Sequence, residues 1–155
     1  MRKLTALLLF AMVLCVIHPA QGKTQYQSDD ELKTDAKQGF EQILDLWRDG
    51  KYGEVYDRTI SSGKETKEHF VSRLASAPLK PACCWEKIQD VTISVKKENT
   101  VMVHARIGLE GGVAHEYKTR SFKLVNEDGI WKISQSEIIN LSGATKKKKR
   151  YVRWK

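Results

Sequence analysis

Beyond its first 22 residues the chain has two cysteines, two prolines and no apolar run approaching the roughly 20 residues that a membrane helix needs. The two cysteines, Cys83 and Cys84, are neighbours and cannot staple distant parts of one chain, which excludes a disulfide-framed miniature fold. As redox candidates they leave three states open: a vicinal disulfide, links to another chain, or two buried thiols. The sequence also lacks a CxxC pair and any nearby histidine at ligand spacing, so no metal site is expected. It has neither a glycine-rich phosphate loop nor a serine in a nucleophile elbow. No cofactor is expected, and no residue can be assigned a catalytic role.

A basic surface over the body of the protein is missing too. The formal charge of +8 comes from 27 Lys and Arg against 19 Asp and Glu. Setting aside Arg2, Lys3 and the seven cations of the last ten residues leaves 18 positives against 19 negatives between Lys23 and Thr145. The body is therefore nearly neutral, and the basic character belongs to the tail.

What is present begins with a targeting pattern. Arg2 and Lys3 precede the apolar stretch from Leu4 to Ile17, and Ala20-Gln21-Gly22 offers small residues where a signal peptidase reads them. Residues 1–22 are expected to be a signal peptide, with cleavage after Gly22 and export to the periplasm or the medium. Cys15 lies inside the apolar run behind Leu14, which is not small, so a lipid-modified cysteine is not expected. The remaining 133 residues suit one domain at 23–145 with one core, followed by a disordered basic-aromatic tail at 146–155.

Within the domain, Ser28 and Glu31 have the spacing of a capping box. Leu32, Ala36, Phe40, Ile43, Leu44 and Trp47 then recur at spacings of three and four, the stripe of a long helix. Gly50 ends it. Tyr52, Val55, Tyr56 and Ile60 fit a second, short helix. Ser62 and Glu65 repeat the capping spacing before a third helix with Phe70, Val71 and Leu74 on its apolar face. After Trp85 the period falls to two. Val91, Ile93 and Val95 alternate with polar residues, as do Val101, Val103, Ala105, Ile107 and Leu109. Gly111-Gly112 predicts a two-residue hairpin turn, which would pair His104 with Thr119 and His115 with Gly108. His104, Arg106, His115 and Tyr117 then share one face, the one opposite Val103, Ala105 and Ile107. Tyr117 and Phe122 are an odd number apart, so a bulge near residues 119–121 is expected to bring both inward. Another turn at Asn126-Glu127-Asp128-Gly129 leads to a last strand from Ile130 to Leu141.

Helices followed by long antiparallel strands read as an α+β fold: three N-terminal helices packed on a curved antiparallel sheet of about four strands. The long helix ending in Trp47, then Gly50-Lys51-Tyr52, Val55-Tyr56-Asp57, the helix with Phe70 and the strand Gly129-Ile130-Trp131-Lys132-Ile133 together resemble the nuclear transport factor 2-like, or cystatin-like, superfamily. The resemblance runs from about Asp29 to Ser142 and is strongest to small exported bacterial proteins. It implies a cone in which the sheet curls around the helices and leaves a pocket at its open end. Such folds bind small ligands or dimerise through the sheet, and a minority are isomerases, dehydratases or hydrolases. Fold alone does not license any of these.

Three functional readings follow. In the first, the chain is a non-enzymatic exported domain that binds a small apolar ligand or a protein partner, with Trp47, Tyr52, Tyr56, Trp85, Tyr117 and Trp131 as candidate pocket residues. Its tail, Lys146, Lys147, Lys148, Lys149, Arg150, Tyr151, Arg153, Trp154 and Lys155, combines cations with interfacial aromatics. That composition points to anionic lipid, lipopolysaccharide or an acidic cell-wall polymer; export argues against nucleic acid. In the second, an isomerase- or hydrolase-like enzyme uses the same pocket, with Asp45, Asp49 and Asp57 the carboxylates nearest the first two helices. In the third, the chain is a structural homodimer joined through the sheet.

Overall fold

A computed structural model describes residues 28–144, apart from 62, 64 and 113. The expected signal peptide and tail lie outside the described residues.

Helix α1 spans Asp29–Arg48 and begins with a complete capping box. Ser28 Oγ accepts from the amide of Glu31 at 3.3 Å, and the Glu31 carboxylate accepts from the amide of Ser28 at 3.0 Å. Two of the amides orphaned at a helix start are thereby satisfied. The whole expected stripe, Leu32 to Trp47, is buried. Helix α2 covers Tyr52–Asp57. Ile60 is not on it; Thr59–Ile60 form a short strand β1, parallel to the C-terminal strand of the sheet with Thr59 opposite Ile133. Helix α3 spans Lys67–Ala75 and starts later than expected, because Thr66 rather than Ser62 is its cap and accepts from the amide of His69 at 3.3 Å.

Among the described residues the sheet holds six strands, not four, and is mixed, not purely antiparallel. Strand β2 (Lys80–Pro81), β3 (Ile88–Lys97), β4 (Thr100–Gly111), β5 (Ala114–Glu127) and β6 (Ile130–Ser134) join β1. The order is β1-β6-β5-β4-β2, with β3 also paired to β4, and the sheet does not close. β1 and β6 run parallel; β1 continues α2 and reaches β6 directly, with the amide of Ile133 donating to the carbonyl of Arg58 at 3.1 Å. The expected last strand stops at Ser134, and Gln135–Ser142 form helix α4, with Ile138, Ile139 and Leu141 in the core.

The β4–β5 pairing is continuous, so the expected bulge is absent. Phe122 points into the core and Tyr117 to the other face, as an unbroken strand requires. The irregularities lie instead in β3, at Gln89–Thr92 and Val95–Lys97. The hairpin turn is one residue further on than expected, since Gly111 still pairs with Ala114. Gly111 there admits a close approach: a β-carbon on it would lie 2.1 Å from the carbonyl oxygen of Pro78. Gly111 is thus needed inside the strand, under the chain leading to β2. His104 consequently faces Ser121 and His115 faces Glu110. Moving by two positions keeps every side chain on its expected face.

The core fills the space between α1 and the inner face of the sheet. Val101, Val103, Ala105, Ile107 and Leu109 from β4 join Phe40, Ile43 and Trp47 in one core cluster, and the Phe40 and Phe122 rings pack tilted, 5.0 Å between centroids. Each such side chain contributes about 1.5–3 kcal/mol by leaving water. Helix α4 is tied to β5 at its end: Lys118 Nζ donates to the Leu141 carbonyl at 3.1 Å, where the helix presents its unpaired acceptors.

Candidate functional site

The six aromatic candidates fall into three environments. Trp47 and Trp131 belong to the core, 1% and 2% exposed. The Trp131 indole N–H donates to Asp35 Oδ2 at 2.8 Å, which satisfies its polar edge. Tyr52 and Tyr56 are half-buried against the core. Tyr56 packs edge-on against Phe70 at 5.6 Å and sends its hydroxyl to the Glu65 carbonyl at 3.4 Å. Trp85 and Tyr117 remain at the surface, 74% and 37% exposed. The six therefore do not gather around one cavity.

Trp85 and Tyr117 are linked through Glu86, the residue after Trp85, which a detour of the chain carries to Tyr117. Between β2 and β3, residues 82–87 leave the edge of β4 and form a 3-10 turn at Cys84–Glu86. The amide of Ala82 donates to the Gly108 carbonyl at 2.9 Å, and the amide of Gly108 donates to the Lys87 carbonyl at 3.3 Å. The turn sits over Gly108, whose added β-carbon would lie 2.2 Å from the Glu86 carbonyl oxygen. Only a glycine allows this approach. Cys83 and Cys84 are paired with each other as a vicinal disulfide in this segment, and both are exposed. Cys84 has a positive φ of 59°.

The detour carries the Glu86 carboxylate over to β5. Tyr117 donates to Glu86 Oε1 at 3.4 Å, and His115 Nδ1 lies 4.0 Å from Glu86 Oε2. The Arg106 guanidinium stacks on the Tyr117 ring, 4.2 Å from its centroid, a cation–π contact. Farther along the same face, His104 Nδ1 lies 3.0 Å from Ser121 Oγ. His104, Arg106, His115 and Tyr117 do share the face opposite the core, as their spacing requires. The contact with Glu86 depends on a turn 31 residues away from Tyr117 in sequence. The adjacency of Trp85 and Glu86 gave no sign of it.

A second, polar feature lies between α4 and α3 with the residues just before it. A cavity of about 210 Å³ is lined by Glu65, Arg73, Gln135, Ser136, Ile139 and Asn140, with Gly63 at its rim. Arg73 Nη1 donates to Glu65 Oε1 at 3.0 Å, and His69 Nδ1 lies 2.7 Å from the same oxygen. Burial by itself would raise the Glu65 carboxyl; the hydrogen bonds from His69 and Arg73 outweigh it and hold the group below the ordinary carboxylate range. A carboxylate held ionised in this way is a weak proton acceptor. None of the six aromatic candidates lines this cavity.

The carboxylates weighed for catalysis are engaged in ion pairs. Asp45 meets Lys87 at 2.7 Å and Arg48 at 3.0 Å, Asp49 meets Arg48 at 3.2 Å, and Asp57 meets Lys67 at 2.8 Å. The candidate tail residues, Lys146 to Arg150 with Arg153, Trp154 and Lys155, lie outside the described residues. In comparisons with known proteins, no family model matches the chain and no curated protein matches it significantly.

Proposed function

We propose that the chain is a non-enzymatic exported binding domain of the nuclear transport factor 2-like kind, which docks its partner on the outer face of the sheet at Trp85. The observation that carries this reading is the contrast among the tryptophans: Trp47 and Trp131 fill the interior, while Trp85 is 74% exposed. An indole left in water forgoes a burial gain of about 25 cal/mol per Å². An exposed tryptophan is free to anchor another molecule, and Trp is among the residues enriched at the centres of binding interfaces. Interior space that an apolar ligand would occupy is taken by Phe40, Trp47, Phe122 and Trp131. The reading therefore favours an external partner over an apolar molecule held within the cone.

The tail supplies a second, independent attraction. Each lysine near an anionic surface contributes about 1 kcal/mol, and salt screens it. The two parts separate by salt dependence. Removal of residues 146–155 is expected to abolish binding of the mature chain to anionic vesicles at low salt. Trp85→Ala is expected to leave vesicle binding intact and to weaken binding to isolated cell envelopes at high salt. Equal envelope binding by wild type and Trp85→Ala would refute the docking role of Trp85. A Trp85-dependent dimer in sedimentation equilibrium would instead make the partner a second copy.

A further inference from the structure

We propose that Trp85, Glu86, Arg106 and Tyr117 form a platform for a neutral pyranose unit of a polysaccharide. The assignment rests on the reading of the outer face as the docking surface and gives that surface a ligand chemistry. A pyranose offers an apolar face of C–H groups and a rim of hydroxyls that each donate and accept. The platform matches both parts. Trp85, 74% exposed, supplies a flat apolar surface with an electron-rich face. The next residue along the chain supplies the acceptor: Glu86 has room for about four hydrogen bonds as a carboxylate, and its two contacts are long, 3.4 Å to the Tyr117 hydroxyl and 4.0 Å to His115 Nδ1. Arg106 supplies donors in a fixed plane, held against the Tyr117 ring at 4.2 Å. The aromatic surface and the hydroxyl-binding groups are thus fixed on one turn and two neighbouring strands.

Charge and area select this ligand among others. One carboxylate and one guanidinium nearly cancel, so the platform has no preference for a strongly charged group. Nucleic acid also stacks on aromatics, but it requires a positive track for its phosphates, and Glu86 beside Trp85 repels them. A stable protein interface covers about 800 Å² on each partner with a desolvated apolar centre. The large exposed hydrophobics among the described residues are only Trp85, Tyr117 and Ile130. One indole with a small polar rim fits a sugar ring better than a protein surface.

The test uses the mature chain in native gels cast with single neutral polysaccharides: dextran, mixed-linkage β-glucan, galactan and soluble chitin fragments. Wild type is expected to be retarded by at least one of them, with a blue shift of tryptophan emission. Trp85→Ala is expected to weaken that retardation roughly tenfold, as truncation of a central aromatic anchor does; Glu86→Gln should weaken it less, and Ile130→Ala not at all. Retardation by none of the polymers, or equal retardation of wild type and Trp85→Ala, overturns the proposal. A parallel arm separates this failure from failure of the docking face. Trp85-dependent binding to envelopes that survives periodate oxidation of their sugars defeats the saccharide assignment and leaves the docking face standing. Envelope binding that Trp85→Ala does not alter defeats both.

Discussion

Along β4, Val101, Val103, Ala105, Ile107 and Leu109 are sealed from water, while the intervening His104 stands in solvent and Arg106 is partly covered by a tyrosine ring. One strand thus belongs to two environments. On its inner side the side chains are chosen by volume and by the need to leave water. On its outer side His104 and Arg106 are polar and meet water or side chains of β5. The inner side holds the fold together through many mutually dependent contacts, whereas the outer side is built from a few long-range polar contacts on a turn that glycine admits.

The inner side is most sensitive at Phe40. Its ring lies at the centre of the inner layer, fully buried and 5.0 Å from Phe122. Phe40→Ala is expected to lower the unfolding free energy by about 3–5 kcal/mol in urea denaturation, the cost of lost burial and a residual cavity. A loss below about 1 kcal/mol would show that the inner layer collapses around the gap and is less closely packed than its burial implies.

Gly108 joins the two environments, because it lies in the strand while its missing side chain makes room for the outer turn. Gly108→Ala places a methyl group 2.2 Å from the Glu86 backbone oxygen unless the turn moves. Overpacking of this kind costs about 1–3 kcal/mol. Displacement of the Trp85 indole N–H resonance should accompany the loss in a ¹⁵N correlation spectrum. An unshifted Trp85 resonance would mean that the turn does not depend on this approach.

These two positions also mark how far the sequence could be read. Phe40 was legible because period and burial coincide in α1, and the capping box at Ser28 and Glu31 fixed where that period starts. The alternation in β4 was legible for the same reason, and it placed His104, Arg106, His115 and Tyr117 on one face without any knowledge of the exact register. The helix α4 was missed although its signals exist: Ser134 and Glu137 have the capping spacing, and Gly143 follows with a left-handed φ of 73°. Trp131 and Ile133 alternate just before it, and that strand period masks the change to a helix. The bulge expected near Thr119 rested on the idea that an aromatic must turn inward. Tyr117 stays outside because Arg106 and Glu86 give it partners there. The turn over Gly108 joins residues far apart in the chain, and neither period nor propensity carries such information.

Glu137 makes the inner side sensitive to pH. It lies in the first turn of α4, half-buried, with Oε2 lacking a hydrogen-bond partner among the described residues. Burial raises its carboxyl above the ordinary range, while the amides of Lys123 and Ser134 and the nearby Arg120 pull the other way and lose. A carboxyl raised in the folded state contributes stability below its unfolded value, about 4.3, and that contribution is lost as pH rises through the folded value. Glu137→Gln stays neutral and escapes the loss. The variant should match wild type near pH 4 and gain on it as the pH approaches neutrality, in urea midpoints measured across that range. A gain that grows as the pH falls would show that the amides and Arg120 outweigh burial.

The smallest stability effect is expected at Trp85, the largest aromatic on the outer side. Its indole is 74% exposed, so truncation removes little that the fold has buried. Trp85→Ala should change unfolding free energy by no more than about 0.5 kcal/mol, as surface substitutions commonly do. Calorimetry on both proteins decides this. A loss of about 2 kcal/mol or more would place Trp85 among the residues that hold the structure together, and the face it occupies would cease to be a separate environment. A null result in the melt together with lost retention on polysaccharide would separate the two roles of the sheet. Stability would then reside on the side facing α1, and recognition on the side where Gly108 lets the turn cross.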